Sequence, residues 1–346
     1  MNMKIIDNKE DAIHELNRIS ARTNSENNNK INSIVEEILC EVKNQGDIAV
    51  KKYTKKFDGF NPDPMQVSQF DLKNAWNDTS SNLKRALEVA YERIKIFHEK
   101  EIPISFTIKG EHGDSVQRKW NPVNKAGIYI PGGRAAYPST VLMNAIPAKV
   151  AGVENIIMVS PGNKEGEINK TVLAAAHLSG INKVFRIGGA QAIGALAFGT
   201  NQINKVDVIS GPGNIYVTTA KKLIYGSTGI DSLAGPSEIL IIADETAQDT
   251  HIASDLLAQA EHDPLASSIL LTTSKNQAKK VLEELYKKID DHPRKEICLQ
   301  SIKNWGLIVI CENYESCIEL SNIFAPEHLE ILAVNPNKFV KNIENA

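Results

Sequence analysis

A chain of 346 residues, 42% apolar and 23% charged, is long enough for two domains with cores of their own. Its formal net charge of −3 provides none of the overall positive field that non-specific binding to a phosphate backbone requires, so no nucleic-acid partner is expected. The four cysteines, Cys40, Cys298, Cys311 and Cys317, form no C-x-x-C pair and read as free thiols of a reducing compartment.

The first twenty residues, MNMKIIDNKEDAIHELNRIS, carry charges throughout and lack the apolar core of a secretion signal. No later stretch approaches the roughly 18 uninterrupted apolar residues of a membrane span. The expectation is a cytoplasmic protein with no membrane partner. Up to residue 122 the chain reads as helices with polar joints, over 31–53 and 81–98. In the second, Leu83, Ala86, Leu87, Ala90, Ile94 and Phe97 form one apolar stripe, which is a packing face and carries no chemistry. Residues 104–120 read as a strand pair.

From Lys125 short β-branched runs alternate with helical stretches. Strands are expected at 127–130, 155–159, 183–187 and 206–209, with helices starting near Pro138, Glu167, Ala190 and Asn214. The pattern then repeats, with strands at 238–242, 268–271, 307–310 and 329–332 and helices from Asp249, Lys275, Tyr314 and Pro336. Two successive βαβα modules imply an α/β protein with two Rossmann-like parallel sheets.

In the first module the glycine-rich turns all follow strands: Pro131-Gly132-Gly133-Arg134, Ser160-Pro161-Gly162, Gly188-Gly189-Ala190-Gln191 and Gly211-Pro212-Gly213-Asn214. They share the carboxyl edge of one sheet, where helix N-termini present free N–H groups and glycine admits a phosphate to the backbone. The G-x-G-x-x-G fingerprint of ordinary dinucleotide folds is absent. In the second module the polar residues precede strands: Ser237, the segment Gln259 to Pro264, and Glu327-His328. These share the amino edge, so modules facing across a cleft would oppose a cofactor rim to an edge bearing acid, base and metal donors.

Gln259 and His262 are spaced i, i+3 and project from one helix face before Pro264 stops the helix. Imidazole and an amide oxygen suit zinc, but the pair alone also fits an ordinary helix end. Asp255 lies one turn earlier, either supporting that pair or simply solvated. Glu327-His328 joins a carboxylate to an imidazole able to take a proton from an alcohol, or is an exposed polar pair before a strand. His14, His98, His112, His177, His251 and His292 show no partner pattern.

The segments AGIYIPGGRAAYPSTVLMNAIPAKVAG, GGAQAIGALAFGT, VDVISGPGNIYV, DSLAGPSEIL, DLLAQAEHDPLA and FAPEHLEI stand in the order and approximate spacing found in histidinol dehydrogenases. The resemblance covers nearly the whole chain. It implies a zinc-containing, NAD-dependent alcohol and aldehyde dehydrogenase of histidine biosynthesis, oxidising L-histidinol to L-histidine through L-histidinaldehyde with two NAD+, and acting as a homodimer. Carried over by motif, Tyr129, Gln191 and Asn214 are the NAD contacts. Ser237, Gln259, His262, Glu327 and His328 are substrate contacts, with Gln259 and His262 also binding Zn2+, His328 as general base and Glu327 as activator of water. The implied division is an N-terminal helical arm at 1–20, a discontinuous α/β domain of 21–126 plus 237–346 with the zinc, substrate and catalytic residues, and an inserted Rossmann-like domain of 127–236 with the NAD rim.

Family members continue beyond the position matching Ala346 with an aspartate and a histidine for the zinc and a glutamate for the substrate. With those two ligands missing, loose zinc and impaired turnover are expected. Two other readings stay open: a related dehydrogenase of another small polar alcohol, and a non-catalytic paralogue that keeps the nucleotide rim.

Overall fold

The computed structural model describes residues 3–23, 28–132, 137–233, 235 and 237–346. The chain opens with β1 (Lys4–Ile6) and α1 (Lys9–Ser20), where the Asn8 side chain caps the Asp11 N–H. The helix expected over 31–53 is two, α2 (Asn28–Gln45) and α3 (Asp47–Asp58), broken at Gly46, whose φ of +54° cannot continue a right-handed helix. Next come α4 (Gln69–Asn77) and α5 (Ser81–His98), with Ser68 and Ser80 as N-caps. The strand pair is the antiparallel hairpin β2 (Phe106–Lys109) and β3 (Ser115–Arg118).

The first alternating module runs β4 (Lys125–Tyr129), α6 (Pro138–Val150), β5 (Asn155–Val159), α7 (Lys170–Leu178), β6 (Lys183–Phe185), α8 (Gly189–Phe198), β7 (Val208–Ser210), α9 (Ile215–Ile224) and β8 (Gly229–Ile230). Its five strands are all parallel in the order β6-β5-β4-β7-β8. The chain leaves β4 first toward β5 and later toward β7, which makes the β4/β7 boundary the switch point where open α/β sheets bind ligands. On one face Val35, Leu39 and Val42 of α2 and Val50 and Tyr53 of α3 join α8 and α9 in one core. On the other face Leu72 of α4 and Leu87 of α5 join α6 and α7.

Accordingly, the chain divides into an inserted unit, Asn27–Ala234, and a split unit, Met1–Glu26 with Gly235–Ala346. This corrects the division expected from the resemblance. The helices of 28–98 belong to the inserted unit rather than to a domain of 21–126 plus 237–346, because their apolar stripes are buried on its sheet. At Gly194 the absent Cβ lets α2 approach α8, since a Cβ there would lie 3.1 Å from Leu39 and 3.2 Å from Val42.

The split unit adds β9 (Glu238–Ala243), α10 (Asp249–Ala260), β10 (Ser267–Thr272), α11 (Lys275–Asp290), α12 (Lys295–Trp305), β11 (Gly306–Ile310), α13 (Tyr314–Phe324), β12 (His328–Leu332) and α14 (Pro336–Val340). Its sheet is parallel throughout, in the order β1-β11-β10-β9-β12. Residues 1–20 are therefore not merely a helical arm: β1 pairs with β11, and α1 buries Leu16 and Ile19 with α13 on one face of the sheet. α10, α11 and α12 cover the other face through Leu256, Leu285 and Ile302. The cysteines are free. Among the described residues no helix is long and apolar enough to cross a membrane.

Candidate active site

All four glycine-rich turns of the inserted unit follow parallel strands and so lie at one carboxyl edge, although Gly133 and Arg134 fall outside the described residues. The turns pack tightly on one another. A Cβ on Gly132 or Gly188 would come within 2.5 or 2.6 Å of the Pro161 ring, and one on Gly211 within 2.1 Å of the Tyr129 carbonyl oxygen. Gly211, with φ +112°, is fixed by an ion pair with a buried lysine that the sequence reading missed. The Lys221 ammonium donates to the Gly211 carbonyl at 3.1 Å and pairs with Asp231, whose other oxygen accepts the Gly211 N–H at 2.8 Å.

Tyr129 ends β4, and its hydroxyl accepts the Gly189 N–H at 3.1 Å. Burial, with the Asp58 charge acting in the same direction and the Gly189 bond against it, pushes the phenol up to about 12, so it stays protonated. Gln191 is 1% exposed, and neither its amide oxygen nor its amide nitrogen has a hydrogen-bond partner. A buried unsatisfied polar group costs about 1–3 kcal/mol, so this amide is placed for a ligand rather than for stability. Asn214 serves a second purpose: its side-chain oxygen caps α9 by accepting the N–H groups of Tyr216 and Val217 at 3.1 and 3.2 Å. The buried, unpartnered Gln191 amide at this edge fits the hydrogen-bonding groups of a dinucleotide.

At the amino edge of the split unit, β9 lies between β10 and β12, which brings Ser237, the 259–264 segment and Glu327-His328 to neighbouring strand starts. Glu238 connects them. Its N–H donates to a Glu327 carboxylate oxygen at 3.2 Å, its carbonyl lies 3.2 Å from His328 Nδ1, and the Ser237 carbonyl beside it accepts the Ser267 N–H at 3.1 Å. A carbonyl can only accept, so this bond puts the proton on Nδ1 and leaves the Nε2 lone pair for a substrate. The Glu327 carboxylate lies 3.7 Å from the same ring, and both side chains are exposed, His328 by 62%.

α10 stops at Ala260, so His262 lies in the following turn rather than on the helix face expected. Its N–H still bonds the Gln259 carbonyl at 3.2 Å, which keeps the two residues one turn apart. Arg294 reaches the His262 carbonyl at 3.4 Å, and His292 lies 3.4 Å from Glu261. The Gln259 amide nitrogen is buried without a partner. Asp255 bears on Glu330 of β12, whose carboxyl is pushed above its ordinary value by burial and then by that neighbouring charge.

A sequence model of histidinol dehydrogenases matches residues 21–346. The chain belongs to the histidinol dehydrogenase family. It is 86% identical, over all of its length and 79% of the relative's, to the histidinol dehydrogenase of Prochlorococcus marinus strain MIT 9312. To that of Synechococcus sp. strain ATCC 27144 it is 46% identical, covering 99% of this chain and 80% of the relative. The crystal structure of histidinol dehydrogenase from Elizabethkingia anophelis superposes with a TM-score of 0.91 at 36% identity, over 99% of this chain and 79% of that one.

For a histidinol dehydrogenase, the residue that sequence reasoning missed at the amino edge is Arg22. Its guanidinium is 1% exposed, pairs with Glu238 at 2.8 Å, and donates to the Leu265 and Ile19 carbonyls at 2.8 Å each. It thereby ties the start of β9, whose backbone holds Glu327 and His328, to the turn before β10. The partner stands 216 residues away, so no local spacing signals it. Zinc is a different matter. Gln259 and His262 offer two donors, and among the described residues no group of three or more His, Cys, Asp or Glu side chains is placed to hold a metal ion. Protein zinc sites use three or four ligands, so the described residues do not by themselves fit one.

Proposed function

We propose that this histidinol dehydrogenase oxidises L-histidinol to L-histidine with NAD+, dividing the work between the two edges. The observation that carries the reading is the fixed His328 ring, whose Nδ1 is held by the Glu238 carbonyl beside the Glu327 carboxylate. Bound NAD+ supplies the hydride acceptor in each of two oxidations. His328 Nε2 takes the proton of the substrate alcohol, which leaves the electron pair needed to expel hydride from the alcohol carbon. Glu327 then removes a proton from the water that adds to the aldehyde, forming the hydrate that gives up the second hydride. Ser237 contributes a hydroxyl at the same edge for a substrate polar group.

Tyr129, Gln191 and Asn214 hold the nucleotide at the carboxyl edge of the inserted unit. The uncharged Tyr129 hydroxyl and the orphaned Gln191 amide offer hydrogen bonds without adding negative charge beside a pyrophosphate. Gln259 and His262 contribute two donors to zinc and contact the substrate. On the same family resemblance the working form is a cytoplasmic homodimer, which sedimentation equilibrium tests.

The test separates the edges. His328→Ala is expected to lower L-histidinol-dependent NADH formation by roughly 10²–10⁴-fold, the usual worth of a general base, with NAD+ affinity unchanged in calorimetry. Equal losses in turnover and NAD+ binding contradict the base assignment.

A further inference from the structure

Asp58 has no structural reason to be an acid. It is the last residue of α3, where the helix dipole presents negative charge, and its Oδ2 is buried with no hydrogen-bond partner. It forms no ion pair among the described residues. Each circumstance disfavours a carboxylate, and Asn in its place would be cheaper for the fold.

Its position suggests what it serves. α3 packs on α8, and Val50 and Tyr53 of α3 share one core with Ala190 and Ile193 of α8. The Asp58 charge acts on the Tyr129 phenol, whose hydroxyl accepts the Gly189 N–H at the start of α8, so the end of α3 lies near that start. The Tyr129 hydroxyl holds the Gly189 N–H, and a Cβ on Gly189 would touch the Gln191 amide oxygen at 2.7 Å. Asp58 Oδ2 and both Gln191 amide atoms are thus unpartnered polar groups of one neighbourhood, the Gln191 side chain almost wholly buried.

We infer that the Asp58 carboxylate accepts a hydrogen bond from a ribose hydroxyl of the dinucleotide beside Gln191, and that it makes this rim prefer NAD+ to its 2′-phosphorylated form. Dinucleotide folds with a G-x-G-x-x-G turn commonly place an acid on a ribose diol. This chain lacks that turn, and Asp58 supplies the acid from a helix that precedes the sheet. A 2′-phosphate brought to an already desolvated carboxylate meets like charge. The inference rests on the nucleotide reading of this rim.

Calorimetric titration of the chain with NAD+ and with NADP+ tests it. Asp58→Asn is expected to weaken NAD+ by roughly tenfold or more, the usual size of a lost charge-assisted hydrogen bond, and to narrow the NAD+/NADP+ preference. Wild-type affinity for NAD+ should also fall as pH drops through 6, because burial has pushed this carboxyl up to about 6, and the variant should lack that fall. Of the groups nearby, Tyr129 stays protonated, α8 carries no ionisable side chain, and the Lys52 ammonium holds the Glu41 carboxyl of α2 below its ordinary value. Wild-type binding that is unchanged by Asp58→Asn, or flat with pH, overturns the inference. Absence of wild-type NAD+ binding overturns the nucleotide reading and the inference with it. Should the variant fail to fold, the wild-type pH profile alone decides.

Discussion

Gln191 and Gln277 make a controlled comparison within one chain. Both are buried glutamines, 1% and 4% exposed, on the carboxyl side of their parallel sheets. The Gln277 amide is fully used: its nitrogen donates to the Asp244 and Ala247 carbonyls at 2.6 and 3.3 Å, and its oxygen accepts the Thr272 hydroxyl at 2.7 Å. The Gln191 amide is used by nothing. Gln191→Leu is therefore expected to stabilise the ligand-free chain by about 1 kcal/mol, read as a higher melting temperature, while NAD+ affinity falls at least tenfold. A loss of stability would show that the amide has a structural partner. Asp58 makes the same point through pH. Its carboxyl is raised from 3.8 to about 6 by burial, so the folded chain keeps that proton longer than the unfolded chain does. The contribution to stability is complete below 3.8 and is lost as pH rises through about 6. Without ligand, Asp58→Asn should be more stable than wild type at pH 7.5, by about 1–2 kcal/mol once solvent access to this half-buried group is allowed for. At pH 3.5 the two should unfold together. Gln191 was named from the sequence through the family's GGAQA motif. Asp58 was not, because nothing in the local sequence shows that its carboxylate is buried without a partner.

At the scale of elements, the strands of both modules except β8 were legible as β-branched runs, and α5 as an apolar stripe. β1 was missed because three residues show no periodicity, and α12 because one of its three buried positions is Ser301, a polar residue that interrupts the apolar stripe. Equally silent were the tethers that aim one element at another. Arg22→Met leaves Glu238 without its partner and frees the turn before β10. The expected loss is about 3–5 kcal/mol in chemical denaturation, the usual cost of breaking a buried ion pair, and turnover should fall with it because Glu238 holds Glu327 and His328. A variant with wild-type stability would show the pair to be dispensable. Gly211→Ala forces a Cβ against the Tyr129 carbonyl at a φ of +112°, so the β4/β7 boundary must open. Weaker NAD+ binding and a lower melting temperature are expected together. Unchanged binding would place the nucleotide elsewhere on the sheet.

For the whole molecule, two parallel sheets of related winding are proposed to use opposite edges. The inserted unit leaves its carboxyl edge lined with glycine and an unsatisfied amide. In the split unit that edge is closed: Asp244 accepts from the Thr246 N–H and hydroxyl and from the Val334 N–H, and Gln277 takes up the nearby carbonyls. The Asp244 carboxyl is held below its ordinary value because these bonds outweigh the burial that would raise it. The carboxyl edge is occupied by its own bonds, whereas at the amino edge His328 and Glu327 are exposed and lie beside each other. The edge assignments followed from whether polar residues come before or after each strand. The unit to which α2–α5 belong did not, since an apolar stripe says that a helix packs but not on which sheet. The central claim is that this chain performs the histidinol dehydrogenase reaction with these residues. Mixing it with L-histidinol, NAD+ and zinc and following absorbance at 340 nm tests that claim directly. Two NADH formed for each L-histidine released is the predicted result, and no L-histidinol-dependent NADH would contradict it.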